Sequence, residues 1–143
     1  MQGEARIQIN ASPQRVWSMV SDVTRMGEWS PECQRCEWLE EANEPAVGAR
    51  FRGYNKAGPW KWATVSTVTA AEPGREFGFQ TGITAWRYRL EPSGDGAQVT
   101  ESYETTGEPG WQRLFYALTG RQKQLDAAIR RTLELLKVAA EGG

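Results

Sequence analysis

Residues 7–17 read I-Q-I-N-A-S-P-Q-R-V-W, a short alternating strand that Ser12 and Pro13 interrupt just before a helix. The Ser12 hydroxyl can cap that helix, and Pro13 suits its first position, where a backbone N–H would have no partner. Near the other end of the chain, residues 110–140 place apolar residues at spacings of three and four. This spacing predicts one long amphipathic helix, which Gly120 is expected to bend.

The residues between these two segments predict an antiparallel meander of strands. A second short helix is expected over 23–29, capped by Asp22, and the turn at 93–96 is an obvious hairpin. The strands are expected over 4–10, 35–41, 50–56, 60–70, 76–81, 84–91 and 98–106. The pattern predicts an α+β fold, in which a curved sheet of about seven antiparallel strands wraps around the C-terminal helix. Two short helices follow the first strand.

Length, charge and composition exclude several classes of function. The 143 residues predict a single domain over 1–143, and a net charge of −1 gives no indication of a nucleic-acid partner. No apolar run approaches the roughly 20 residues that span a bilayer. The first residues lack the apolar stretch of a signal peptide, so we expect a cytoplasmic protein. The chain has no histidine, which excludes Ser-His and Cys-His nucleophile pairs and His-ligated metal sites.

Cys33-Gln34-Arg35-Cys36 is a C-x-x-C motif, a pattern found in metal and redox sites. A tetrahedral zinc site needs two further Cys or His ligands, and the sequence has none. Redox-active motifs of this spacing begin helices, where the helix dipole lowers one thiol pKa. This motif leads into a predicted strand, in which residues three apart point to opposite faces. We therefore expect structural cysteines, and we expect neither a metal nor a cofactor.

Alternation along each strand assigns its side chains to two faces. Over 84–91, Trp86 and Tyr88 share one face, while Arg87 and Arg89 share the other. Since the arginine face is expected to be solvated, the rings should point toward the helix. The predicted inward faces hold no arginine.

Glu101 lies on the same face of its strand as Val99 and Tyr103, and is therefore expected to point inward among aromatic rings. A buried carboxylate must be paired, hydrogen-bonded or protonated. Two interpretations remain open. Glu101 is either a polar anchor or acid of raised pKa in a ligand cavity, or a structural carboxylate bonded to backbone or to an arginine at the rim.

Rings on inward faces and residues on the helix stripe are the candidate cavity residues. Trp29 is expected at the rim, and Gln122, the polar interruption of the stripe, either bonds the ligand or Glu101 or simply lies near the helix bend. The same rings are also compatible with a filled core. The candidates are Trp29, Phe51, Trp62, Phe77, Phe79, Trp86, Tyr88, Glu101, Tyr103, Leu114, Leu118 and Gln122.

Several local sequences, in order along the chain, resemble one known family. Besides residues 7–17 they are M-G-E-W-S-P at 26–31, P-A-V-G-A-R-F-R-G at 45–53, T-A-W-R-Y-R-L-E-P at 84–92 and V-T-E-S-Y at 99–103. Together they resemble the polyketide cyclase/dehydrase branch of the START-like (SRPBCC) superfamily, in its single-domain bacterial type. The resemblance covers nearly the whole chain and implies a helix-grip fold.

The resemblance also implies a deep cavity, which in that superfamily takes lipids, sterols, polyketides or plant hormones. The first functional expectation is a binding or carrier protein for a small hydrophobic molecule. The alternative is a polyketide cyclase or dehydratase, with Glu101 as general acid/base and a tyrosine such as Tyr103 polarising a carbonyl. A third is a module that contacts a protein partner through its sheet or helix. Cyclases of this family often use an arginine in the cavity to orient the substrate, whereas Arg121 of this chain is expected on a solvated face. The sequence does not indicate an oligomeric state.

Overall fold

The computed structural model describes residues 1–142, which form one antiparallel sheet and a set of helices. The strands are β1 (Gln2–Ile9), β2 (Cys33–Trp38), β3 (Arg50–Ala57), β4 (Trp60–Glu72), β5 (Glu76–Thr81), β6 (Thr84–Ser93) and β7 (Gly96–Thr105). The helices are α1 (Pro13–Val20), a 3₁₀ helix (Val23–Glu28), α2 (Gly110–Thr119) and α3 (Arg121–Gly142). The predicted α+β helix-grip fold is confirmed, with seven strands in the order β1-β7-β6-β5-β4-β3-β2.

Side-chain caps begin the two short helices after β1, as predicted. The Ser12 hydroxyl accepts from the Arg15 N–H at 3.1 Å, and Pro13 occupies the first turn of α1. Asp22 Oδ1 accepts from the Thr24 N–H at 3.2 Å, although the helix that it begins is 3₁₀ rather than α. Each cap supplies a hydrogen-bond partner to a backbone N–H in the first turn of its helix.

A long C-terminal helix is present as predicted, but Gly120, expected only to bend it, divides residues 110–142 into two helices. Gly120 is left-handed, with φ of 69°, and its N–H bonds back to the Tyr116 carbonyl to close α2. α3 then packs on the sheet and buries an apolar stripe made of Leu125, Ile129, Leu133, Leu136 and Ala140. α2 follows a different direction and buries no residue of its own.

The expected inner position of Leu114 and Leu118 is therefore wrong. Their side chains are 60% and 78% exposed. The spacing of three and four residues continues past Gly120, but the left-handed residue turns the part of the stripe before it away from the sheet. Within residues 1–142, no helix is both long and apolar enough to cross a membrane.

Candidate ligand-binding cavity

A cavity of about 370 Å³ lies between the inner face of the sheet and α3. Ligand pockets commonly have volumes of roughly 300–1,000 Å³. β2 to β7 supply one wall, α3 the other, and the 3₁₀ helix and α2 contribute at the ends. The rim passes Trp62, which is 36% exposed, and the partly exposed pair Glu32 and Arg121.

Aromatic rings form much of the sheet wall. Phe51 and Phe79 meet edge to face with ring centroids 5.1 Å apart, and Phe79 stacks on Trp86 at 6.5 Å. Trp38 also meets Phe51 edge to face, with ring centroids 5.8 Å apart. Each ring is thus held by a neighbour on an adjacent strand, because alternation places them on one face. The rings therefore give this wall a continuous apolar surface.

Glu101 is the acidic residue of the strand wall, and only 5% of it is exposed. It lies directly opposite Tyr88 on the neighbouring strand, and within the described chain its Oε1 has no hydrogen-bond partner. Burial raises the pKa of the Glu101 carboxyl to about 8, and the Tyr88 hydroxyl partly offsets this effect. At neutral pH the carboxyl is therefore mostly protonated and can donate a hydrogen bond into the cavity.

Hydroxyl groups along the same wall bond to one another across strands. Ser66 Oγ lies 2.6 Å from Thr81 Oγ1, and Thr84 Oγ1 lies 2.8 Å from Thr105 Oγ1. On the facing helix, Thr132 donates to the Ala128 carbonyl at 2.9 Å. Because these hydroxyls have partners inside the protein, Glu101 stands out as the lining group with unmet hydrogen-bonding capacity.

The two cysteines lie in the cavity wall on the same side of β2, so the expectation that they point to opposite faces is wrong. A register shift between Cys33 and Arg35 against β3 adds a residue to this edge strand, and such a bulge reverses the alternation that follows it. Cys33 and Cys36 are both buried, with their Sγ atoms 3.1 Å apart. Hydrogen bonding to Cys36 lowers the pKa of the Cys33 thiol, while that contact and burial raise the pKa of Cys36.

Arg121 also lines the cavity, contrary to the expectation of a solvated position. Its Nη1 and Nη2 donate to Glu32 Oε2 and Oε1 at 2.8 and 3.1 Å, which ties the start of α3 to the segment before β2. Arg121 precedes buried Leu125 by one helical turn, a spacing that would have placed it on the inner face. Tyr116 on α2, which the sequence did not single out, lines the cavity as well.

The structure brings six of the candidate residues together around the cavity. They are Phe51, Trp62, Phe79, Trp86, Tyr88 and Glu101.

The other candidates lie elsewhere. Trp29, expected at the rim, is 2% exposed within the core, and Phe77 is fully buried there. The Tyr103 hydroxyl donates to Asp126 Oδ1 at 2.7 Å, in a separate cluster of buried residues. Gln122 Nε2 donates to the Gln2 carbonyl at 3.1 Å, outside the cavity lining, as are Leu114 and Leu118.

Comparisons with known proteins give similarity to one family over nearly the whole chain. Residues 2–141 match the family model described as polyketide cyclase / dehydrase and lipid transport. The Polyketide_cyc-like protein Cgl2372 from Corynebacterium glutamicum is 40% identical, with a TM-score of 0.58 over 98% of this chain and 88% of that one. A comparison with curated proteins finds no match.

Two more distant solved structures share the fold. The protein TTHA0849 from Thermus thermophilus is 17% identical, with a TM-score of 0.76 over 96% of this chain and 94% of that one. The di-domain ARO/CYC StfQ of the steffimycin biosynthetic pathway is 15% identical, with a TM-score of 0.79 over 99% of this chain and 50% of that one. At these identities the likeness concerns the fold alone.

Proposed function

Because the chain belongs to the polyketide cyclase / dehydrase and lipid transport family, we propose that it binds or carries a small hydrophobic molecule between the sheet and α3. The observation that carries this proposal is the Glu101 oxygen that is buried without a partner in the described chain and borders an aromatic cavity. Leaving a buried polar group unsatisfied costs about 1–3 kcal/mol. A ligand that accepts a hydrogen bond from this carboxyl removes that cost.

The cavity chemistry favours a particular kind of ligand. The flat faces of Phe79 and Trp86 suit a ring system or another flat apolar body, which they bind by burial of apolar area. The protonated Glu101 carboxyl suits a ligand carbonyl or hydroxyl oxygen. Among lipids, sterols and polyketide-like molecules, we favour a polyketide-like aromatic ketone, which combines both features.

Direct titration with a defined probe tests the proposal. Trp62 and Trp86 border the cavity, so their fluorescence should respond to a bound aromatic ketone such as an anthraquinone. Glu101→Leu should weaken binding about 10–100-fold, because the variant donates no hydrogen bond. Glu101→Gln, whose amide still donates, should retain most of the affinity. Glu104→Gln changes an exposed position on the same strand and serves as the matched control.

Two results would count against a binding role for this cavity. One is the absence of binding for an anthraquinone, a steroid ketone and a fatty acid alike. The other is equal affinity of the wild type and Glu101→Leu for a probe that does bind, since the carboxyl would then make no contribution. Native mass spectrometry of the freshly purified protein adds an independent readout, the mass of any retained molecule.

A second candidate function, a cyclase or dehydratase acting on a polyketide-like substrate, is favoured by the Glu101 pKa of about 8. A general acid/base works best when its pKa lies near the operating pH. Tyr88, opposite Glu101, takes the role of polarising a carbonyl, because the Tyr103 hydroxyl bonds Asp126 instead. This candidate predicts that Glu101→Gln abolishes turnover of a poly-β-ketone while the substrate still binds. If Glu101→Gln instead lost substrate binding and turnover to the same extent, Glu101 would be a binding residue and not a general acid/base.

A further inference from the structure

Three sulfur atoms come together in the cavity wall nearest the 3₁₀ helix. Cys33 Sγ and Cys36 Sγ lie 3.1 Å apart, and Cys36 Sγ contacts Met26 Sδ at 3.7 Å. All three residues border the cavity. Two separate elements supply them, since Met26 belongs to the 3₁₀ helix and the cysteines to β2. The proposed ligand-binding function gives these sulfur atoms no role.

The backbone around the sulfur atoms is shaped so that they converge. The register shift after Cys33 turns both thiols to the inner side of β2. On the facing strand, Gly53 is the cross-strand partner of Cys36. A Cβ at Gly53 would lie 3.4 Å from Cys36 Sγ, so the glycine leaves the space beside the thiol open. A buried side chain there would restrict the movement of the thiol.

The donor set determines which ion it could bind. Thiolate and thioether sulfur are soft ligands, which select Cu(I) over the ions that prefer oxygen. Zinc in structural sites takes four ligands from Cys, His, Asp or Glu. No group of three or more such residues comes together within residues 1–142. The nearby Glu32 carboxylate is already held by Arg121 through two hydrogen bonds.

We propose that Met26, Cys33 and Cys36 bind a single Cu(I) ion through two thiolates and one thioether. Both thiols lose their protons to solvent as the ion binds, so the complex carries one net negative charge and no electron is transferred. With metal–sulfur bonds of about 2.3 Å, three sulfurs around one ion lie roughly 4 Å apart. Met26 Sδ, 3.7 Å from Cys36 Sγ, is already close to that distance, whereas the two thiols, 3.1 Å apart, must separate by about one ångström through rotation of the cysteine side chains.

The test is an anaerobic titration of the reduced protein with Cu(I), in competition with the chromophoric chelator bathocuproine disulfonate. The wild type should remove one ion per chain from the chelator. Cys33→Ser and Cys36→Ser should each weaken binding about 100-fold or more, and Met26→Leu about 10-fold. Met19→Leu alters a methionine buried elsewhere in the core and should leave Cu(I) affinity unchanged.

X-ray absorption of the copper-loaded wild type should show three sulfur neighbours at about 2.3 Å, a result that depends on no variant. The proposal is overturned if the double variant Cys33→Ser/Cys36→Ser competes with the chelator for Cu(I) as well as the wild type does. It is equally overturned if Met26→Leu behaves like Met19→Leu, or if alkylation and mass analysis find a disulfide that excludes copper. Circular dichroism of each variant establishes that it is folded, and Cys33→Ala/Cys36→Ala replaces the serine variants if they are not.

Discussion

Glu101 shows how the environment of a single residue changes its chemistry. Strand alternation places it inward, the rings around it exclude water, and Tyr88 lies opposite. Because little surrounding polarity stabilises its charge, the carboxyl keeps its proton to a pKa of about 8. The same carboxyl on the outer face of the sheet would be ionised at neutral pH.

This protonation predicts a pH dependence of stability. Glu101 in the unfolded chain titrates near 4.5, whereas in the folded chain it titrates near 8, so the folded state holds the extra proton between these values. The contribution of Glu101 to the free energy of unfolding should therefore be fully present below pH 4.5 and fall as the pH rises toward 8, by up to several kcal/mol. Urea denaturation at pH 5, 6.5 and 8 measures this decrease.

Glu101→Gln removes the titrating group while keeping its shape, so its stability should vary less with pH than that of the wild type. Glu104→Gln, at an exposed position of the same strand, should retain the wild-type dependence. Identical pH profiles for the wild type and Glu101→Gln would show that the buried carboxyl does not hold an extra proton.

Gly96 lies so close to a neighbouring backbone that a larger residue is expected to destabilise the fold. A Cβ at this position would lie 2.1 Å from the Ile9 carbonyl oxygen, where β7 begins beside the end of β1. Gly96→Ala should lower the free energy of unfolding by about 1–3 kcal/mol, because backbone must move to admit the methyl group. Chemical denaturation measures the change, with Gly110→Ala, which meets no atom within 4 Å, as control. If Gly96→Ala lost no more stability than Gly110→Ala, the close approach of Gly96 to the Ile9 carbonyl oxygen would be contradicted.

At the scale of elements, Gly120 separates two helices that the sequence pattern joins. Its φ of 69° is readily adopted by glycine and costs an alanine about 1 kcal/mol. Gly120→Ala should therefore reduce stability by about that amount, measured by thermal unfolding. Gly120→Asn should lose less, because asparagine tolerates the left-handed region. If alanine were as stable as glycine, a continuous helix would be compatible with the fold.

The β2 bulge is the second point where an element departs from its pattern. An unbroken strand places residues three apart on opposite faces, and the sequence of β2 contains no glycine to mark the irregularity. β2 is an edge strand, paired only with β3, which leaves its register freer to shift than that of an inner strand. The convergence of Cys33 and Cys36 follows from that shift.

At the scale of the whole molecule, the cavity exists because the sheet and α3 do not meet along their full length. Ala128 and Thr132 face it from α3 with small side chains. Ala128→Phe should fill part of the space and weaken binding of the anthraquinone probe at least about 10-fold, while the fold is retained. Fluorescence titration measures the affinity, and a thermal melt establishes that the variant is folded.

Ala127→Phe is the matched control, since residue 127 is exposed and adjacent in sequence on the same helix. It should leave probe affinity unchanged. If the two variants bound the probe equally well, the ligand would occupy a site other than this cavity.

Local sequence patterns were sufficient to predict most of the secondary-structure elements and the buried face of each. These patterns are local, because each depends only on residues within one segment. They include the Ser12 and Asp22 caps, the alternation along β4 to β7 and the apolar stripe of α3. For this reason the inward positions of Trp86, Tyr88 and Glu101 could be predicted, as could a sheet wrapped around a helix.

How these faces meet depends on packing between segments that are distant in sequence. The tertiary structure placed Phe77 and Trp29 in the core rather than the cavity, aligned two cysteines through a bulge, and turned Leu114 outward at Gly120. It also brought Arg121 to Glu32, 89 residues away in sequence. Such outcomes depend on backbone conformation at single residues and on contacts between distant segments. Periodicity records which face of a segment is apolar, whereas packing determines whether that face meets another side chain, a cavity or solvent.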